Sequence, residues 1–220
     1  MIESAENGPK KIGEVLGLGT SLPHENFTLL YTKERLALHG LFFDKLINDL
    51  GLKKQDADIV AVLHILPSSI PFTQAVSKIA NINSIIPKPK SINRFSLRDL
   101  EQSGIANIGR QPIIDIVDRV EKPTVFLDIG GFFSEIVNEL DNKLGRNFRG
   151  IVEDTENGLQ KYEKMGINFP FVSVARSPLK ESEDAMVGQA ITFSAEALLR
   201  QHNVLINGLR VGVIGYGKIG

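Results

Sequence analysis

The chain has no cysteine among its 220 residues. That excludes disulfides, thiolate catalysis and cysteine-ligated metal sites, and it fits a cytoplasmic protein. Neither sign of charge is in excess: 25 basic and 26 acidic residues leave a formal net charge of −1. Without a basic surplus there is no footprint for nucleic acid or for an anionic membrane. The local basic group Lys88, Lys90 and Arg94 reads as a solvated loop. No apolar run approaches the roughly 18 residues of a membrane span, and the N-terminus has no signal-peptide pattern. The spacing of His24, His39, His64 and His202 suits no metal site, so no metal is expected. These absences leave a soluble, intracellular globular chain.

What is present is an alternation of short apolar runs with helical periodicity. Residues 1–26, rich in glycine, proline and polar groups, read as an irregular arm. Apolar positions from Phe27 to Leu50 recur at helical spacing, and Gly51 sits where a stop belongs. Buried strands are expected at 58–64, near 84–86 with Pro87 and Pro89 ending it, at 124–128, 148–152 and 169–174. Helices are expected at 74–80, 97–108, 113–120, 132–140, 157–165 and from Glu183 to about His202. Continuous apolar strands alternating with helices predict a doubly wound, mostly parallel α/β sheet covered on both faces. The domain boundary falls between Lys180 and Gly208. It separates an α/β domain over 27–182 from a connecting helix over 183–208 and a further segment over 209–220.

That last segment carries the most specific motif. Val211, Val213 and Ile214 lead from an Asn207-Gly208 turn into Gly215-Tyr-Gly217-Lys-Ile-Gly220, a G-x-G-x-x-G. It reads as the opening strand and glycine turn of an incomplete dinucleotide-binding (Rossmann) domain. The first glycine makes the turn, the second admits a pyrophosphate and the third lets the next helix pack. That helix, and an acidic residue about 20 positions on to hold the ribose, would lie past Gly220.

Ligands of doubly wound sheets sit at the carboxyl ends of the strands. Those ends carry His64, Asp128-Ile129-Gly130-Gly131, the stretch from Glu153 to Gly158, and Ala175-Arg176-Ser177. Each also has a purely structural reading: Asp154, Thr155 and Asn157 as helix caps, the glycine pair as a turn, His64 as a buried histidine bonded to backbone. Lys180 and Asp184, four apart on one helix face, could grip adjacent hydroxyls or form a surface ion pair.

Taken together, three stretches resemble the adenosylhomocysteinase family: Gly150-Ile-Val-Glu-Asp-Thr-Glu-Asn-Gly158, the run Val174–Gly188 with Lys180 and Asp184, and the terminal glycine turn. Leu63-His64 and Asp128-Ile-Gly-Gly131 match more weakly. The resemblance implies a hydrolase of one-carbon metabolism that splits S-adenosylhomocysteine reversibly into adenosine and homocysteine. A bound NAD would oxidise the ribose 3′-hydroxyl and reduce it again at the end. It implies that Lys180 and Asp184 hold the ribose hydroxyls, with Lys180 as base, that Asp154 also holds the ribose, and that His64 lies near the reacting carbon. Thr155 and Asn157 would face the nicotinamide half of NAD, and Gly215, Gly217 and Gly220 its pyrophosphate. The partners implied are a small-molecule nucleoside and, as one option, further copies of the chain in a homo-oligomer.

The sequence departs from that pattern at Ile129, Phe132, Leu66, Ser68, Ala185 and Gln189, where the family carries polar catalytic, adenine-reading or cofactor-side residues. The chain is therefore expected to be incomplete or inactive by itself, or to take a related nucleoside. Two alternatives remain: a two-domain NAD-dependent dehydrogenase of the 2-hydroxyacid or alanine type, and a non-catalytic pseudoenzyme or binding module.

Overall fold

The structure is a computed structural model, and it describes residues 33–109, 115, 117, 118, 120–215, 217 and 219. Lys33–Lys180 form one compact unit, and the chain from Glu181 onward belongs to a second. The first unit runs α1 (Lys33–Asp49), β1 (Asp58–Ile65), α2 (Ser69–Ile79), β2 (Asn81–Ile92), α3 (Arg94–Ser103), β3 (Asn107–Ile108) and β4 (Thr124–Asp128). A 3₁₀ turn (Ser134–Ile136) then leads to α4 (Val137–Leu144), β5 (Phe148–Glu153), α5 (Glu156–Met165) and β6 (Phe171–Ser173).

The strands form one six-stranded sheet in the order β3-β2-β1-β4-β5-β6, every neighbouring pair parallel. Side chains of β1 show why both faces are covered. Val60 and Val62 enter one apolar cluster, with Val137 and Leu140 of α4 and Tyr162 of α5. Ile59, Ala61 and Ile65 enter the other, with Val76 of α2 and Leu100 of α3. Alternate residues point to opposite faces of a strand, so each face has its own core. Full burial of each Val or Ile contributes about 1.5–3 kcal/mol. This is the doubly wound α/β architecture that the alternation predicts. The chain starts at the centre, steps outward through β2 and β3, then returns to β4. The ends of β1 and β4 therefore diverge at the middle of the sheet, where a crevice opens.

Several element bounds differ from expectation. β2 does not end at its prolines: it continues through Pro87, opposite Leu63, to Ile92, opposite Ile65, with an irregularity in the register. β3 pairs only with Ser84 and Ile85, so the part of β2 carrying Pro87 has no ladder on that side among the described residues. Such an edge tolerates a missing N–H. The helix expected to run to Ile108 stops at Ser103, because Gly104 caps it at φ 63° and frees the chain for β3. Its start is fixed by Asn93, whose side chain accepts from the amides of Phe95 and Ser96. The helix expected at 132–140 begins only at Val137, after a tight loop and the 3₁₀ turn. Of the helix expected at 113–120, Asp115 and Val117 are helical and several positions lie outside the described residues. The irregular arm at 1–26 also lies outside them.

In the second unit, α6 (Pro178–Gln201) is the long helix, beginning five residues before Glu183 and ending near Asn203, which adopts φ 59°. Residues 209–215, read from sequence as a strand, have no ladder partner among the described residues, and Val211, Val213 and Ile214 are exposed. No described helix is long and apolar enough to cross a membrane.

Candidate functional site

Two buried carboxylates end β4 and β5 beside the point where the strand order reverses. Asp128, the last residue of β4, accepts from the amides of Ile129 (2.7 Å), Phe132 (2.9 Å) and Phe133 (3.1 Å) and from the Tyr162 hydroxyl (2.5 Å). Glu153, the last residue of β5, accepts from the amides of Gly130 (2.8 Å), Gly131 (2.9 Å) and Thr155 (2.7 Å) and from the Thr155 hydroxyl (2.7 Å). Every amide from Ile129 to Phe133 is thereby taken from inside the fold. A glycine-rich loop after a strand often turns its amides to a phosphate. This one turns them to its own carboxylates. Burial raises the Asp128 carboxyl above the ordinary carboxylate range, opposed by its Tyr162 and backbone hydrogen bonds. Burial and the neighbouring Asp128 also hold the Tyr162 hydroxyl protonated throughout the working pH range.

The loop's carbonyls face the other way, to lysines. Lys88 of β2 donates to the Ile129 carbonyl at 2.8 Å, and Lys161 of α5 donates to the Gly130 carbonyl at 2.7 Å. Lys88 is thus half-buried and fixed, which corrects the reading of 88–94 as a solvated loop. The cause is the continuation of β2 past its prolines, which carries the side chain to the carboxyl edge of the sheet.

His64, near the end of β1, is half-buried, and its Nδ1 is buried without a hydrogen-bond partner. Burial lowers its pKa, Lys88 lowers it further, and Asp154 acts in the opposite direction. The turn after it is held by Ser69, whose hydroxyl donates to the His64 carbonyl and accepts from the Leu66 amide. Ser68 caps α2 with no side-chain hydrogen bond.

The structure brings some of the sequence-predicted residues together. Lys180 Nζ lies 3.3 Å from the Asp154 carboxylate, with the lysine side chain 15% and the aspartate 44% exposed. The Asp154 amide is pinned to the Asp128 carbonyl at 3.0 Å. Lys180, Asp154, His64 and Lys88 therefore all belong to the carboxyl edge of one unit. Thr155 is the N-cap of α5, its hydroxyl accepting from the Gly158 amide while donating to Glu153. Asn157 is exposed on the first turn of that helix. Asp184 lies four positions after Lys180 on α6, half-buried and within the second unit.

Gly215 has φ 103°, and neither it nor Gly217 approaches another group closely enough to need a glycine. Gly220 lies outside the described residues. The described part of the motif lacks the paired strand that a pyrophosphate cradle is built on. The described part does not fit a bound dinucleotide as it stands.

Sequence reasoning missed Lys88, Lys161 and the loop-holding parts played by Asp128 and Glu153. The apolar residues Ile82, Ile85 and Ile86 reaching up to Pro87 were a signal that β2 continues. Lys161 had none, because its role depends on where α5 packs.

No family model matches the chain. Part of it is similar to curated adenosylhomocysteinases. The protein of that name from Thermotoga maritima is 27% identical over 137 residues, covering 60% of this chain and 32% of the relative. That of Acinetobacter baylyi is 31% identical over 100 residues, covering 44% and 21%. The chain thus spans about a third or less of the relatives it matches. A solved structure from Methanococcus maripaludis, described as an S-adenosyl-L-methionine-dependent methyltransferase, aligns with 91% of this chain and 88% of its own. Its TM-score is 0.32 and its identity 13%, too remote to carry an argument.

Proposed function

We propose that this chain is the nucleoside-holding part of an adenosylhomocysteinase-like protein, and that its crevice binds an adenosine-type ribose. The observation that carries the reading is the Lys180–Asp154 pair at 3.3 Å on the carboxyl edge that also carries His64. A ribose diol needs one acceptor and one donor at neighbouring oxygens, and a carboxylate beside an ammonium supplies both. In this reading Asp154 accepts a hydroxyl proton, Lys180 donates to the adjoining oxygen or takes its proton, and His64 lies toward the reacting carbon. The partial likeness to two adenosylhomocysteinases supports the same assignment.

Hydrolysis of S-adenosylhomocysteine is the finer proposal, and it would require NAD, which Thr155 and Asn157 would face; the described part of the terminal glycine turn does not supply its pyrophosphate cradle. It is weighed down by apolar Ile129 and Phe132 in the switch-point loop, the latter 38% exposed. Those two residues favour a second reading, a protein that keeps the nucleoside site without the reaction. Calorimetric titration with adenosine tests the shared claim. Lys180→Ala is expected to weaken binding by roughly tenfold, the size of one charge-assisted hydrogen bond. Affinity unchanged by that substitution sinks the assignment. Release of homocysteine from S-adenosylhomocysteine by the chain, with NAD supplied, would decide for catalysis over retained binding.

A further inference from the structure

The two lysines of the switch-point loop are not used by the proposed ribose grip. Lys88 and Lys161 donate to the carbonyls of consecutive residues, Ile129 and Gly130, so they bracket Gly130 from two different elements. Lys88 Nζ would lie 3.1 Å from a Cβ at Gly130. Neither has a carboxylate within ion-pair reach among the described residues, whereas Lys180 meets Asp154 and Arg176 meets Glu156 and Glu163. Each ammonium has three donors, and the named carbonyl accepts one. Two positive charges, half-buried Lys88 and exposed Lys161, each with donors to spare, therefore stand at the carboxyl edge of the sheet.

We infer that Lys88 and Lys161 form an anion subsite that takes a phosphate group, so that the preferred ligand of the crevice is a phosphorylated nucleoside. The inference rests on the nucleoside reading above for the ribose part and on the lysine pair for the phosphate. Charge decides the class of anion. A phosphate monoester carries close to two negative charges near neutral pH, which matches the two ammoniums. The zwitterionic tail of an amino acid would need a carboxylate for its own ammonium. Asp128 and Glu153 are committed to the loop, and Asp154 is shared by Lys180 and, in the nucleoside reading, the ribose. The loop amides cannot substitute for the lysines, because the same buried carboxylates already hold them.

The test compares adenosine, adenosine 5′-monophosphate, S-adenosylhomocysteine and inorganic phosphate by calorimetry on the 220-residue chain. The monophosphate is expected to bind roughly tenfold tighter than adenosine, the size of one charge-assisted contact, and to lose that advantage as salt rises. Lys88→Met and, separately, Lys161→Met should each erase most of the advantage while leaving adenosine affinity near that of the parent chain. Lys88→Arg should restore part of it. Two independent variants guard against a loss of fold in either. Equal affinity for adenosine and its monophosphate overturns the subsite and leaves the nucleoside reading standing. A lysine-dependent gain for S-adenosylhomocysteine with none for the monophosphate also overturns it, since the anion would then be a carboxylate. Lysine-dependent binding of inorganic phosphate with no response to adenosine upholds the subsite and overturns the nucleoside reading.

Discussion

His64 shows how one side chain reports on a whole edge of the sheet. Its imidazole is desolvated, it feels the Lys88 ammonium, and Asp154 only partly offsets both, so its pKa lies below the ordinary 6.5. The unfolded chain therefore binds a proton more readily than the folded one. His64 contributes stability that is fully present above about pH 6.5 and is lost as pH falls through the lower folded value. An NMR titration of the imidazole should find that depressed pKa. Lys88→Met should move it up and Asp154→Asn should move it further down. A value at or above 6.5 in the parent chain refutes the arrangement. At this scale the sequence was only partly informative. Lys180 and Asp154 were each implied by resemblance as ribose contacts, but the partner expected for Lys180 was Asp184, four residues on, rather than Asp154. Lys88 looked like a loop cation because a proline on either side suggested that the strand had ended.

At the scale of elements, the loop after β4 is held by side chains from its neighbours. Glu153 reaches across from β5 to cap Gly130 and Gly131, and Tyr162 reaches from α5 to Asp128. The space for the Glu153 carboxylate exists because residue 158 is a glycine: a Cβ there would collide with all three carboxyl atoms. Gly158→Ala should therefore displace Glu153, strand two glycine amides and the Thr155 hydroxyl, and cost about 3 kcal/mol of stability. Asn157→Ala, one residue earlier and exposed, should change stability by no more than about 0.5 kcal/mol. Urea unfolding of the two variants checks both, and a Gly158→Ala protein as stable as its parent would refute the packing argument. The sequence pattern made β4, β5 and α5 legible because each has its own apolar period. It could not show that a strand-end glutamate is buried beneath a helix, since that depends on the distance between two elements rather than on either one.

At the scale of the molecule, the sheet and both apolar clusters lie within one unit, and every residue of those clusters falls between Ile59 and Phe171. The alternation of strands and helices was enough to foresee this architecture, because a parallel sheet with two buried faces is the arrangement that satisfies strands apolar on both sides. The second unit was harder to read. α6 has no buried residue, and residues 209–215 pair with no strand among the described residues. A glycine fingerprint describes a local turn, whereas a dinucleotide site also needs a sheet beneath it. Stability should accordingly reside in the first unit. A shortened chain over residues 33–190, which keeps roughly the first three turns of α6, is expected to unfold cooperatively with a urea midpoint close to that of the 220-residue chain. It should also bind adenosine with nearly the parent affinity, since Lys180, Asp154 and His64 all lie within it. A shortened chain that is unfolded would show that the segments removed supply essential packing. One that is folded but no longer binds would place an indispensable part of the ligand site outside residues 33–190.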